Sequence, residues 1–303
     1  MTLTKIKTML TATAMTLAAT TASFAQDLQI AYTGFSTDNT FWIGVAEAAA
    51  AEAERQGVEF IDMTASSPDS AAQKDAVDRA VDMGVDGIII GSVDNRAFDA
   101  SLDAAAEKGI PVVAVDTGID HEHVSSLVQT DNLAAAGIAG EFIVEQIDEG
   151  KVLILGGSAG HQTGNARRDG VLNAAEQAGH EVIFQICDWQ DACAFETTTN
   201  FLQSDPEIKA IFSAWDPGAL AAVSAAKALG KLDDLVIVGF DGNPANLVAI
   251  AEGEQTATIK QDNTRMGIES VQNLVNIING EDAPAMVPID GILITSENVA
   301  EFQ

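Results

Sequence analysis

The feature that most restricts the fold is an alternation that runs along the chain and then restarts. Short runs of aliphatic and β-branched residues take turns with longer Ala- and Glu-rich runs of helical spacing, several of which stop at a Gly. The pattern predicts strands at 28–32, 58–61, 87–90 and 111–115, with helices at 41–56, 70–83 and 97–108 between them. Ile88-Ile89-Ile90 carries no polar residue, as a parallel strand covered on both faces requires. From Val124 the rhythm begins again. Strands at 124–129, 151–155, 181–186, 208–212, 235–239 and 256–260 alternate with helices at 133–147, 166–178, 195–202, 219–229, 245–252 and 265–278. Such repeats build doubly wound parallel sheets with right-handed crossovers. The expected architecture is therefore α/β, with two Rossmann-like lobes and a cleft between them. No Pro- or Ser-rich tether separates the halves, so strands rather than a flexible linker are expected to join them. At 303 residues the chain is long enough for two domains of ordinary size. Its 5% aromatic content favours close helix-on-sheet packing over an aromatic-rich β-sandwich.

The first 25 residues read as a secretory signal peptide and not as part of the fold. Lys5 and Lys7 form a positive start, Met9 to Ala22 is uncharged and apolar or small, and Ser23-Phe24-Ala25 gives the small-x-small pattern of a cleavage site. No Cys stands near the cut, so a lipid anchor is not expected, and no later segment reads as a membrane span. Cleavage after Ala25 leaves 13 basic against 45 acidic residues, a net charge of −32 where the full chain has −30. The charges are spread over many helices. They read as a solvated surface suited to saline surroundings, one that repels nucleic acid and anionic lipid. Export also allows Cys187 and Cys193, six residues apart, to form a disulfide.

In open α/β sheets ligands bind beyond the carboxyl ends of the strands. Those ends carry Phe35 to Trp42, Asp116-Thr117, Gly156 to Gly160, Asp188-Trp189, Ala214-Trp215-Asp216, Phe240-Asp241 and Gln261-Asp262. All three tryptophans of the chain fall at or just after such ends. Each offers a flat apolar face and one N–H, suited to stacking on a sugar ring, a base or a cation. Asp116 and Asp241, at the ends of strongly apolar strands, could accept pairs of hydrogen bonds from vicinal hydroxyls. Asp241 could equally cap a helix, and for Asp216, followed by Pro217, a helix cap is the preferred reading. Gly156 to Gly160 lacks the Gly-Lys-Ser/Thr ending of a phosphate loop. His121 and His123 lack a nearby Cys or third His, so no metal site is expected. No Gly-x-Ser-x-Gly elbow or nucleophile–base set is present, so no catalytic residue, cofactor or enzyme activity is expected. His161, near the cleft, reads as a lining residue.

Several of these segments together resemble the ribose-binding protein group of periplasmic binding proteins. They are Asn39-Thr40-Phe41-Trp42, Asp131-Asn132, Arg167-Arg168-Asp169-Gly170, Asp216-Pro217-Gly218 through Val223, and Val238-Gly239-Phe240-Asp241-Gly242. The resemblance runs in order through the whole chain after the leader. It implies two Rossmann-like lobes, 26–130 with 262–290 and 131–261 with 291–303, joined by three hinge crossovers. It also implies closure around a sugar-like solute in the periplasm, a monomeric state, and the membrane subunits of an ABC importer as partner. Carried over by position, Asn39, Phe41, Trp42, Asp116, Trp189, Phe240, Asp241 and Gln261 match ligand contacts. Three positions depart: Thr117 and Asn165 stand where the ribose binders carry Arg, and Trp215 where they carry Asn. On that reading the carboxylates lack Arg partners. An amine or other nitrogenous solute then competes with a sugar or polyol. A periplasmic sensor or chemoreceptor subunit is a further alternative. A DNA-binding regulator is excluded by the leader and the charge.

With 45 acidic and 15 basic residues, self-repulsion opposes the folded state at low ionic strength. The melting temperature is expected to rise between low and molar salt, and a flat calorimetric series would contradict this.

Overall fold

The computed structural model describes residues 28–303, so the leader inferred at 1–25 lies outside the described residues. Within them the first half runs β1 (Gln29–Thr33), α1 (Thr40–Gln56), β2 (Glu59–Asp62), α2 (Ser70–Met83), β3 (Gly87–Ile90), α3 (Asp99–Glu107), β4 (Val112–Val115) and β5 (Val124–Thr130). There follow α4 (Asn132–Gln146), β6 (Lys151–Gly156), α5 (Gln162–Gln177), β7 (Glu181–Ile186), α6 (Asp191–Ser204), β8 (Ile208–Ser213) and α7 (Asp216–Ala228). The chain ends with β9 (Val236–Asp241), α8 (Pro244–Ala251), β10 (Ala257–Lys260), α9 (Asn263–Ile278), β11 (Met286–Ile289) and β12 (Ile292–Thr295).

The strands form two six-stranded sheets, ordered β11-β5-β4-β3-β1-β2 and β12-β10-β9-β8-β6-β7. The first is parallel throughout. The second is parallel except for β12, which runs antiparallel to β10. The chain passes between the sheets after β5, after β10, and between β11 and β12, giving three crossings. Both lobes are doubly wound α/β units, as the alternation predicted. The apolar strands β3 and β4 are buried at every position, because helices cover both faces of the sheet.

The sequence pattern did not resolve β11 and β12. Both are four residues long and sit at sheet edges. β11 also contains Pro288, whose missing N–H is tolerated at an edge. Three helices begin three or four residues earlier than predicted: α5 at Gln162, α6 at Asp191 and α7 at Asp216. Their first turns are polar or contain Pro and read as loop. The first turn of a helix has unpaired N–H groups and accommodates both.

Cys187 and Cys193 are joined in a disulfide, with Cα atoms 5.3 Å apart. No helix among the described residues is long and apolar enough to cross a membrane.

Glycines let two helix pairs approach closely. A Cβ on Gly170 of α5 would lie 2.6 Å from the Leu133 carbonyl oxygen at the start of α4. A Cβ on Gly267 of α9 would lie 2.7 Å from the Ala49 nitrogen of α1 and closer still to the Val45 carbonyl. In a helix with free space, Gly→Ala stabilises by up to about 1 kcal/mol, and Gly137 of α4 has nothing within 4 Å of its Cβ direction. We expect G137A to raise stability, and G170A and G267A each to lower it by about 1–3 kcal/mol through overpacking. Urea denaturation of the three variants reads the sign directly.

Candidate functional site

On the first lobe the site begins at the start of α1. Asn39 caps this helix, its Oδ1 accepting from the Phe41 N–H at 2.9 Å. That cap turns Phe41 and Trp42 inward, where both are buried. Trp42 stacks on Phe35 at 6.1 Å between ring centroids and meets Phe41 edge-on at 5.3 Å. The indole lies where a side chain on Gly91, just past β3, would stand.

At the end of β4, Asp116 takes a left-handed φ of 64°, a conformation Asp tolerates better than most residues. Its Oδ2 accepts from Thr117 Oγ1 at 2.9 Å, while its buried Oδ1 has no hydrogen-bond partner among the described residues. Burial raises the Asp116 pKa, and the nearby Arg167 charge opposes that rise.

Arg167 belongs to α5 on the second lobe and is 3% exposed. Its Nε donates to Asn132 Oδ1 at 2.8 Å, and its Nη1 donates to the Ala214 carbonyl at 2.8 Å and to Asp241 Oδ1 at 3.3 Å. The guanidinium carbon lies 3.9 Å over the Phe240 ring. Gln261 Nε2 donates to the same Asp241 oxygen at 2.7 Å, and Gln261 Oε1 accepts from Thr130 Oγ1 at 2.7 Å. The Asp216 N–H reaches Asp241 Oδ2 at 3.4 Å. Burial pushes the Asp241 carboxyl up to about 6 against the pull of Arg167. Burial and then the Asp241 charge push Asp216 up to about 7.

These contacts correct three expectations. Asp241 does have an Arg partner, Arg167, which was not among the residues singled out as ligand contacts. Asn165, two residues before it, instead accepts from Arg168 Nη1 at 3.1 Å. Asp216 does not cap its own helix. It is the first residue of α7, and it accepts from Thr258 Oγ1 of β10 at 2.6 Å and the Asn243 N–H beyond β9 at 2.7 Å, tying the end of β8 to both neighbouring segments. Asp241 does not cap the helix that follows it, because α8 starts after Asn243; it instead accepts the first N–H of α7.

The second lobe also presents an aromatic wall. Trp189 meets Trp215 edge-on at 5.8 Å and His161 edge-on at 5.3 Å. It lies against Gly157, where any side chain would collide with the indole. Trp215 Nε1 donates to Asp191 Oδ1 at 3.1 Å. Burial, aided by Arg167, pushes His161 down to about 4, so its imidazole is neutral at neutral pH. Both His161 ring nitrogens, Trp189 Nε1 and Ser92 Oγ are buried without partners among the described residues, as is Asp116 Oδ1. The lobes touch across the cleft: Thr40 Oγ1 donates to Asn243 Oδ1 at 3.0 Å, and Thr117 Oγ1 lies 3.3 Å from Thr163 Oγ1.

Two α/β lobes, three crossings, and buried polar groups gathered where the strands of both sheets end define a bilobal binding protein. The chain belongs to the periplasmic binding protein family, whose domain matches residues 30–282. It is 30% identical to the ribose import binding protein of Haemophilus influenzae over 288 residues, 94% of this chain and 97% of that one. It is also 30% identical to the D-allose-binding periplasmic protein of Escherichia coli over 275 residues, 85% and 88% of the two chains. Among solved structures it resembles an ABC transporter solute-binding protein of Bacillus halodurans with bound myo-inositol. The TM-score there is 0.84 at 28% identity, covering 91% of this chain and 97% of the other.

Removing one member of a buried ion pair leaves the other charge uncompensated, at a cost of about 3–5 kcal/mol. R167M is expected to destabilise by that order, and a second change, D241N, to recover a large part of the loss. Chemical denaturation of both variants checks it, and additive losses would contradict the pairing.

Proposed function

We propose that this chain is the binding component of an ABC importer and captures a small neutral sugar or polyol in the periplasm by lobe closure. The observation that carries this reading is the mixed set of polar side chains around Arg167. Asp116 comes from one lobe, Arg167, Asp241 and Gln261 come from the other, and several of their neighbours are buried without partners. A polyhydroxylated molecule satisfies both kinds of group at once, because each hydroxyl donates and accepts. Asp116 and Asp241 are the hydroxyl acceptors, and Arg167 and Gln261 set the orientation of Asp241. Phe41, Trp42, Phe240, Trp189 and Trp215 supply flat apolar faces. Asn39, Thr117 and Asn165 add further polar contacts. The relatives named for ribose and D-allose, and the one holding myo-inositol, support this solute class.

The bodies that close are 26–130 with 262–290 and 131–261 with 291–303. The protein acts as a monomer, after loss of residues 1–25, and the membrane subunits of the importer read the closed form. No catalytic step is assigned to it. Arg167 weighs against a cationic amine as the solute, since a fixed positive charge already sits beside Asp241.

The test is a thermal-shift panel on protein unfolded and refolded to strip any carried ligand, with pentoses, hexoses, polyols, nucleosides and amines. A ligand at about 100 times its Kd adds about 2.7 kcal/mol, enough to move the midpoint by several degrees. A sugar or polyol is expected to produce the shift, and D116N and D241N to abolish it. A shift with amines alone would sink the reading.

A further inference from the structure

The aromatic wall is mounted on an unusual loop. Asp188 and Trp189 have φ values of 49° and 59°, two consecutive left-handed residues of which neither is Gly. L-residues rarely adopt this conformation even singly. Cys187 and Cys193 bracket the pair, and their bond ties the end of β7 to the first turn of α6. Cys187 is itself anchored, its N–H donating to the Gly156 carbonyl at 2.9 Å and its carbonyl accepting from the Gln190 N–H at 2.8 Å. Within the same bracket lies Asp191, which holds the Trp215 indole N–H. Both tryptophans of the wall thus take their positions from the segment that the disulfide closes.

We propose that the Cys187–Cys193 bridge is a positioning element of the cleft. It holds the left-handed pair in place, and through that pair seats Trp189 on Gly157 and edge-on to Trp215. Without the bridge, Asp188 and Trp189 relax toward ordinary backbone angles and the indole leaves its seat. The inference rests on Trp189 being a ligand contact only for its effect on affinity. The effect on Trp189 itself is independent of any ligand.

The first arm of the test therefore uses no ligand. In a W42F/W215F protein Trp189 is the sole tryptophan. Acrylamide quenching is measured before and after treatment with a phosphine, which reduces the bridge to two thiols and becomes the phosphine oxide. The same measurement is made on a C187S/C193S version, with far-UV dichroism confirming the fold. Quenching is expected to rise severalfold in both. Unchanged quenching overturns the proposal whatever solute the protein takes.

The second arm measures affinity for D-ribose and myo-inositol. C187S/C193S is expected to weaken binding about tenfold in the natural sequence and to leave W189A unaffected. Equal losses in both backgrounds would reduce the bridge to a general stabiliser and overturn the proposal. If neither probe binds the natural protein, the solute class falls, and the quenching arm still decides the inference.

Discussion

A single buried cation organises the site. Arg167 is held by Asn132, the Ala214 carbonyl and Asp241, and lies flat on Phe240. Burial lowers its pKa, while the charges of Asp241, Asp116 and Asp216 all raise it. Three buried carboxyl groups surround one guanidinium: burial raises all three carboxyl pKa values, and a neighbouring carboxylate raises those of Asp216 and Asp241 further. Arg167 and Asp241 are hydrogen-bonded as well as paired, and Asp216 is hydrogen-bonded through both carboxyl oxygens. Asp116 is the exception. It comes from the other lobe, and one of its oxygens has no protein partner. The least satisfied acceptor therefore belongs to the lobe opposite Arg167, and a solute able to donate to it would join the two lobes.

The same network reaches the hinges. Gln261 stands where the chain leaves β10 for the first lobe, and Thr130 stands where it leaves β5 for the second. One side chain joins them, with Gln261 accepting from Thr130 and donating to Asp241. The orientation of a proposed ligand carboxylate is thus fixed at two of the three crossings. The lobes are also joined by Thr40 to Asn243 and by Thr117 to Thr163. These are single neutral contacts of modest strength, suited to an equilibrium between open and closed forms that a ligand biases.

The fold was legible in the sequence because its strands are short, apolar and bounded by Gly, and its helices rich in Ala. What escaped was local. The polar first turns of α5, α6 and α7 look like loop, yet they are the helix starts that face the cleft. Asp116, Trp189 and Asp241 could be singled out as candidates because strand ends mark such a site whatever the side chains there do. Arg167 was missed because it lies inside a helix, where an Arg usually reads as surface. A signal was present: Arg167-Arg168-Asp169-Gly170 is one of the segments that resemble the ribose-binding group, and in the fold Gly170 lies against α4 with Arg167 three residues earlier on the same helical face. Arg168, one position on, turns away and pairs with Asp169. The roles of Asp216 and Asn243 depend on contacts between segments 27 residues apart, which no local pattern carries.

The central claim is that a solute joins Asp116 of one lobe to the Arg167–Asp241 group of the other and so holds the cleft shut. Small-angle X-ray scattering on ligand-stripped protein tests it most directly, with and without a saturating sugar or polyol, for the natural sequence and D116N. The account predicts a smaller radius of gyration on addition in the natural protein and none in D116N. An unchanged radius in the natural protein despite bound solute, or full closure in D116N, would contradict it.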